Sequence, residues 1–314
     1  MPLTIVFLDR ETLPPEIVIR SPRIAHRWID HPRTAPDQVV ERAAEADIVI
    51  VNKVPMRAEA LAKLPKLRMV AVAATGTDNV DVGWCREHGI AVMNVRGYAV
   101  HSVPEHVFAL ILALRRGLFA YRDEMQRGRW PDSPQFCFFA APIEDLNGTR
   151  IGIVGRGSIG RAVAGIARAF GMTPLFAGRK GAAEVPSGCI PFPQMLAESD
   201  VITLHCPLTP ETRALIGAAE FRQMRQRPLL INTARGPLID DTALVAAMDE
   251  GLIAGAAVDV LAAEPPPADH PLLPLLHRPN FMMTPHVAWA SRQAMQRLAD
   301  QVIENIEAFA AEGT

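Results

Sequence analysis

Six consecutive residues, Gly155-Arg156-Gly157-Ser158-Ile159-Gly160, have the types and spacing of a phosphate cradle, G-x-G-x-x-G. Alone the pattern is weak. Here an apolar strand candidate, Arg150–Val154, runs into it, and a helical stretch, Ile159–Phe170, leaves it and stops at Gly171. Strand, glycine turn and helix together make the pattern a dinucleotide fingerprint. Gly155 permits the tight turn, Gly157 lets backbone approach a pyrophosphate, and Gly160 lets helix pack on strand. Arg156, Ser158 and Ile159 complete a cradle whose helix N-terminus faces the phosphates.

The next strand candidate ends in Phe176-Ala177-Gly178-Arg179-Lys180. An NAD-binding fold places an acid about 20 residues beyond the fingerprint to accept from the ribose 2′-hydroxyl. Gly178 stands there, and two cations follow it. That arrangement suits the 2′-phosphate of NADP; a solvated basic turn is the plainer alternative. Three more polar residues, Arg235, Glu264 and His286, each follow an apolar strand candidate. In open α/β sheets, ligands bind beyond the carboxyl ends of the strands. Singly, each could be a surface charge, an exposed acid or a structural histidine.

These residues need a scaffold, and the chain alternates short apolar runs with helical segments. The strand candidates are Thr4–Leu8, Asp47–Val51, Met69–Ala74 and Ile90–Asn94, then Arg150–Val154, Pro174–Ala177, Asp200–Leu204, Pro228–Asn232, Gly255–Val260 and Phe281–Thr284. Such alternation implies parallel sheets covered by helices on both faces, an α/β class. A length of 314 residues suggests about two domains. Pro104–Phe119 reads as a helix apolar almost all round, hence buried between domains or at a subunit contact. Ser291–Phe309 reads as a second, amphipathic helix. The simplest division gives a discontinuous domain of residues 1–100 and 288–314, and a dinucleotide-binding domain of residues 101–287.

Composition excludes other classes. With 32 basic and 34 acidic residues the net charge is −2, which argues against nucleic acid or an anionic membrane as the main partner. Hydrophobic residues at 49% exclude wholesale disorder. The four cysteines form no C-x-x-C pair, so neither a metal site nor a redox dithiol is expected. The start of the chain reads as a strand rather than a signal peptide. The apolar run Val107–Leu114 is too short to span a bilayer. A cytoplasmic location is the expectation.

Taken together, the fingerprint, His205–Gly217 (HCPLTPETRALIG), Ile231–Asp240 (INTARGPLID), Ala256–Pro266 (AAVDVLAAEPP) and Thr284-Pro285-His286 resemble the D-isomer-specific 2-hydroxyacid dehydrogenase family over nearly the whole chain. The resemblance implies a Rossmann-type domain inserted into a flavodoxin-like substrate domain. It assigns Arg235 to the substrate carboxylate and carbonyl, His286 to acid/base chemistry and Glu264 as its partner, favouring the imidazolium. Thr75 and Gly76 lie in the loop whose amides cradle the carboxylate. Asp259 and Ser102 lie near the nicotinamide, while Cys206, Pro207, Thr233 and Ala234 line the cofactor. Closing the two domains over the substrate would exclude water. The Gly-Arg turn and overall length look most like glyoxylate/hydroxypyruvate reductases and bacterial glycerate dehydrogenases. The resemblance therefore implies NADPH-driven, reversible reduction of glyoxylate or hydroxypyruvate to glycolate or D-glycerate, with NAD as the lesser cofactor. It also implies a homodimer, with the apolar Trp130–Pro142 segment, including Phe136, Phe138 and Phe139, beside the crossover. A helix-capping internal loop is the alternative use of that segment.

The chain departs from the family at Pro104, where many relatives have Ala, at Ala288-Trp289, where many have Gly-Ser, and at Gly178. Formate dehydrogenase relatives carry Gln where Glu264 stands. A dehydrogenase for another D-2-hydroxy acid remains open. Nucleotide-sensing corepressors of the same superfamily keep the Arg, Glu and His set, but this chain lacks a long disordered or basic tail.

Overall fold

The structure, a computed structural model, describes residues 2–312. The chain divides into two units, Met1–Ala99 with Ala290–Thr314, and Val100–Trp289.

The first unit is built on strands β1 (Leu3–Phe7), β2 (His26–Asp30), β3 (Ile48–Val51), β4 (Met69–Val72) and β5 (Ala91–Asn94), with short helices α1 (Val39–Ala43), α2 (Ala58–Leu61) and α3 (Val82–Glu87) between them. The sheet is wholly parallel in the order β2-β1-β3-β4-β5, the flavodoxin-like order. Every residue of β3 and β4 is buried, so these strands read as continuous apolar runs. Strand β2 has no counterpart in the sequence reading. It is an edge strand that pairs only with β1, and its residues, HRWID, are partly or fully exposed. An edge position does not demand an apolar run. The C-terminal helix, Arg292–Glu312, buries a stripe that includes Ala294, Leu298, Val302 and Ile306 and packs on β4 and β5. Its outer side is tied down by the Arg20–Glu307 ion pair at 2.6 Å.

The second unit begins with α4 (Ser102–Arg115) and α5 (Leu118–Gln126). Strands β6 (Arg150–Val154), β7 (Thr173–Phe176), β8 (Val201–Leu204), β9 (Leu229–Asn232), β10 (Gly255–Val258) and β11 (Phe281–Met283) follow. They alternate with α6 (Ser158–Ala169), α7 (Phe192–Glu198), α8 (Ala218–Phe221) and α9 (Asp241–Asp249). The sheet is parallel, ordered β11-β10-β9-β8-β6-β7. The strand order reverses between β6 and β8, which makes their carboxyl ends the topological switch point where such sheets bind ligands.

The single helix expected over Pro104–Phe119 is two helices. Gly117 adopts a left-handed φ of +59°, and a Cβ there would lie 3.0 Å from Ala141 Cβ. The buried face of α4, including Val107, Phe108, Leu110 and Ile111, packs on α6, β9 and β10 of its own unit. Ala109 and Glu105 are exposed, so the helix is not apolar on all sides.

Candidate active site

The glycine turn divides its labour as its spacing requires. Gly155 has φ +112°, and a Cβ on it would come within 2.6 Å of the His205 backbone. The glycine therefore lets the turn after β6 touch the end of β8 across the switch point. A Cβ on Gly160 would lie 2.0 Å from Gly155 O, so α6 packs against its own entry turn. A Cβ on Gly157 would meet nothing within 4 Å. That open face lies at the N-terminus of α6, with Ser158 and Ile159 in its first turn. Such a terminus offers unpaired amides to an anion. After β9, two strands from β6 in the sheet, the Thr233 hydroxyl is buried with no partner among the described residues. An open glycine face, a helix N-terminus and an orphan hydroxyl after β9 fit a dinucleotide.

Gly178, the position where the sequence lacks the ribose-binding acid, is buried: its N–H donates to Ile190 O at 2.8 Å, and a Cβ would press on Val185 Cγ1 at 3.2 Å. The loop after β7 folds over it, so glycine serves close packing as well as the absence of an acid. Lys180, one of the two cations expected to suit a 2′-phosphate, is engaged elsewhere. Its ammonium pairs with Glu220 at 2.8 Å and donates to Leu215 O at 3.2 Å. Glu220 is only 7% exposed and demands a cation, which is why Lys180 turns to α8. Arg179 is exposed. Exposed Glu211 faces it; the Thr209 hydroxyl, its own backbone and, to a lesser degree, Arg179 hold its carboxyl below the usual range. Arg156 lies with its guanidinium 5.9 Å from the Phe176 ring centroid and donates to Ser187 O at 2.6 Å.

Cys206 and Pro207 follow β8. Burial pushes the Cys206 thiol up to about 11, so it stays protonated, and Pro207 O accepts from Thr212. His205, beside them, is pushed down to about 3 by burial and is neutral, with Nε2 2.9 Å from Thr203 Oγ1.

Arg235, Glu264 and His286 follow β9, β10 and β11, three adjacent parallel strands, so all three emerge from one edge of the sheet. Asn232 shapes the first of these loops: its side chain accepts from Ala234 N at 3.1 Å and donates to Arg235 O at 2.9 Å. Gly236 brings that loop against the next one, since a Cβ there would lie 2.1 Å from the Leu261 carbonyl carbon. Glu264 spans the two following loops. Its Oε1 accepts from Leu261 N at 2.9 Å, and its Oε2 lies 2.6 Å from His286 Nδ1. His286 is one of three non-glycine residues with positive φ, at +54°, among the described residues. Its N–H donates to Asp259 O at 2.8 Å, and its carbonyl accepts from Trp289 Nε1 at 2.9 Å.

Asp259 is 1% exposed. Its carboxylate accepts from Thr284 Oγ1 and from the N–H groups of Val287 and Ala288, each of these two at 2.9 Å. It therefore anchors the His286 loop, a role the sequence reading did not give it. Ser102 is buried too, and its hydroxyl donates to Ala288 O at 2.7 Å. Gly236, Asn232 and Thr284 were also missed as positioning residues. They lie inside the INTARGPLID and TPH segments; the Asn232 partners lie in its own segment, while those of Gly236 and Thr284 lie outside theirs.

In the first unit, Thr75 and Gly76 follow β4. The Thr75 hydroxyl donates to Val95 O at 2.8 Å, and Asn94 Nδ2 donates to Thr75 O at 2.6 Å, so Thr75 is tied to the end of β5 through both its side chain and its carbonyl. No helix among the described residues is long and apolar enough to cross a membrane.

Residues 108–288 match the family model described as the NAD-binding domain of D-isomer specific 2-hydroxyacid dehydrogenases. The chain is 46% identical over 310 residues to the glycerate dehydrogenase of Methylorubrum extorquens, covering 98% of this chain and 96% of that protein. It is 37% identical to the hydroxypyruvate reductase of Blautia hydrogenotrophica, covering 88% and 86%. Among solved structures, the D-lactate dehydrogenase of Aquifex aeolicus, complexed with NAD and lactic acid, superposes with a TM-score of 0.80 at 26% identity, covering 98% and 96%. With the glycine turn and the Arg, Glu and His set in place, the chain belongs to the D-isomer specific 2-hydroxyacid dehydrogenase family, oxidoreductases with an NAD-binding domain of Rossmann type.

Proposed function

We propose that this enzyme reduces glyoxylate and hydroxypyruvate to glycolate and D-glycerate, reversibly, with NADPH preferred over NADH. The observation that carries the chemistry is the 2.6 Å contact between His286 Nδ1 and Glu264 Oε2. A carboxylate only accepts, so Nδ1 carries a proton. That leaves Nε2 as the atom that exchanges a proton with substrate. Bound reduced nicotinamide supplies the hydride to the carbonyl carbon. His286 gives its Nε2 proton to the carbonyl oxygen as negative charge develops there, and Glu264 stabilises the imidazolium beforehand. Arg235 holds the substrate carboxylate and polarises the carbonyl. The amides of Thr75 and Gly76 are assigned to the same carboxylate. Asp259 and Ser102 hold the His286 loop and would lie toward the nicotinamide, and Cys206, Pro207, Thr233 and Ala234 would line the bound dinucleotide.

The relatives named glycerate dehydrogenase and hydroxypyruvate reductase support the substrate class. The cofactor preference rests on the missing acid at Gly178 and on exposed Arg179. On this reading Val100–Trp289 binds the dinucleotide and the remaining unit serves the substrate. A homodimer is supported by Trp130–Pro142, where Phe136 is 87% and Phe139 80% exposed; solution mass by light scattering tests it. A cytoplasmic location fits the cysteines, all four of which are free. The reading as a whole is tested by following NADPH absorbance with a panel of 2-oxo acids. Turnover strongest with glyoxylate or hydroxypyruvate supports it; turnover with none would point to a nucleotide sensor.

A further inference from the structure

Two side chains one turn apart on α4, Ser102 and His106, grip the loop that carries His286. Ser102 holds the far end of the loop at Ala288 O. His106 holds the near end, with Nε2 3.1 Å from Thr284 Oγ1 and 3.8 Å from Asp259 Oδ1. The hydrogen positions follow from chemistry. The Asp259 carboxylate accepts from two backbone N–H groups and from Thr284 Oγ1. Thr284 has one hydroxyl hydrogen, and it points to Asp259. Toward the imidazole, Thr284 Oγ1 can then only accept, so Nε2 of His106 must be protonated. The order of donation is His106 to Thr284 to Asp259.

We propose that His106 is a positioning residue for His286, acting through this relay; the inference rests on the assignment of His286 as the acid/base. His286 sits at φ +54°, a backbone region that a non-glycine residue keeps only when its surroundings hold it. The hold from below is Asp259. The hold from the side is α4, which itself packs on β9 and β10, the strands that deliver Arg235 and Glu264. The His106 relay thus references the His286 loop to the strands carrying its two partners. Loss of the donor at His106 leaves Thr284 Oγ1 one bond short and frees the loop to shift relative to Glu264.

The test compares His106→Leu, His106→Gln, Thr284→Val and the double variant His106→Leu/Thr284→Val. Readouts are kcat and KM for hydroxypyruvate, NADPH affinity by nucleotide fluorescence, and imidazole nitrogen NMR of the full chain. His106→Leu should lower kcat about tenfold or more, since small misplacements of a catalytic group are costly, with NADPH affinity unchanged. Gln places an amide N–H close to the position of Nε2 and should restore kcat to within about threefold of wild type, while the double variant should be no worse than the poorer single one, as expected for residues in one network. NMR should show His106 as the Nε2–H tautomer and His286 signals moved by Leu but restored by Gln. A His106→Leu enzyme with wild-type kcat, a Gln variant no better than Leu, or multiplicative losses in the double variant would each overturn the relay. If His106→Leu does not fold, Thr284→Val and the Gln variant carry the same comparison. If the wild type turns over no 2-oxo acid, the assigned function fails, and the NMR signals still decide the relay: unmoved His286 signals or an Nδ1–H tautomer at His106 reject it.

Discussion

Glu264 and His286 come from adjacent strands and meet at 2.6 Å, with the other Glu264 oxygen fixed by Leu261 N–H at 2.9 Å. The carboxylate therefore cannot swing away from the ring without abandoning a backbone donor. Replacing His286 with Ala should leave NADPH binding intact and lower the rate roughly 10²- to 10⁴-fold, the usual share of a positioned acid/base. Turnover near wild type would remove His286 from that role.

The Glu264→Gln variant keeps an acceptor for Nδ1 but loses the negative charge. The ring then donates to substrate without an anionic partner behind it, so kcat for hydroxypyruvate should fall about tenfold or more while NADPH affinity is kept. Steady-state kinetics at one pH and a nucleotide-binding titration check this. A wild-type kcat would mean that the Glu264 charge does not act on His286.

Gly236 is the point where the Arg235 loop touches the loop leading to Glu264. A Cβ there would lie 2.1 Å and 2.5 Å from backbone atoms of Leu261 and Ala262. Backbone cannot rotate aside as a side chain can. Gly236→Ala should cost about 1–3 kcal/mol of stability and lower kcat through displaced Arg235 and Glu264. A thermal melt and one kinetic assay suffice, and wild-type values in both would contradict the contact.

Arg179 and Lys180 are adjacent cations with different expected roles. NADPH should exceed NADH by at least about tenfold in kcat/KM, the equivalent of one charge-assisted hydrogen bond. Arg179→Ala should erase most of that margin while sparing NADH. Lys180→Ala should leave the margin and instead destabilise the fold by about 1 kcal/mol, since Glu220 loses a partner that is itself partly solvated. Equal loss with both cofactors in Arg179→Ala would show that Arg179 faces away from the 2′-phosphate.

Burial holds His205 down to about 3 in the folded protein, against an ordinary value of 6.5. Between these values the unfolded chain binds a proton that the native state refuses. Stability is then fully present above pH 6.5 and falls as the pH drops toward 3, by up to about 1.4 kcal/mol per pH unit from this group. His205→Gln should flatten that part of the denaturation-versus-pH curve. An unchanged slope would show that other groups set it.

Strand β3 and the glycine turn were legible in the sequence because their physics is local. A strand buried on both faces must be apolar throughout, and a turn that admits phosphate must lack side chains. The Arg, Glu and His set was legible as three strand ends. Strand β2 was not, since HRWID pairs at an edge and carries no burial requirement. Lys180 was misread because the acid that claims it, Glu220, lies 40 residues away in sequence and is brought near only by folding. Gly178 was legible as a missing acid, but not as a packing position, because the loop that covers it after β7 is brought there only by folding. The sequence by itself determined the class of fold, the glycine turn after β6 and the three strand-end residues Arg235, Glu264 and His286, through patterns spanning a few residues. Only the tertiary structure decided which polar groups remain available and which are consumed by one another, as Asp259 is by Thr284, Val287 and Ala288. Satisfaction of a buried charge depends on whichever donors the chain brings within about 3 Å of it, whatever their separation in sequence.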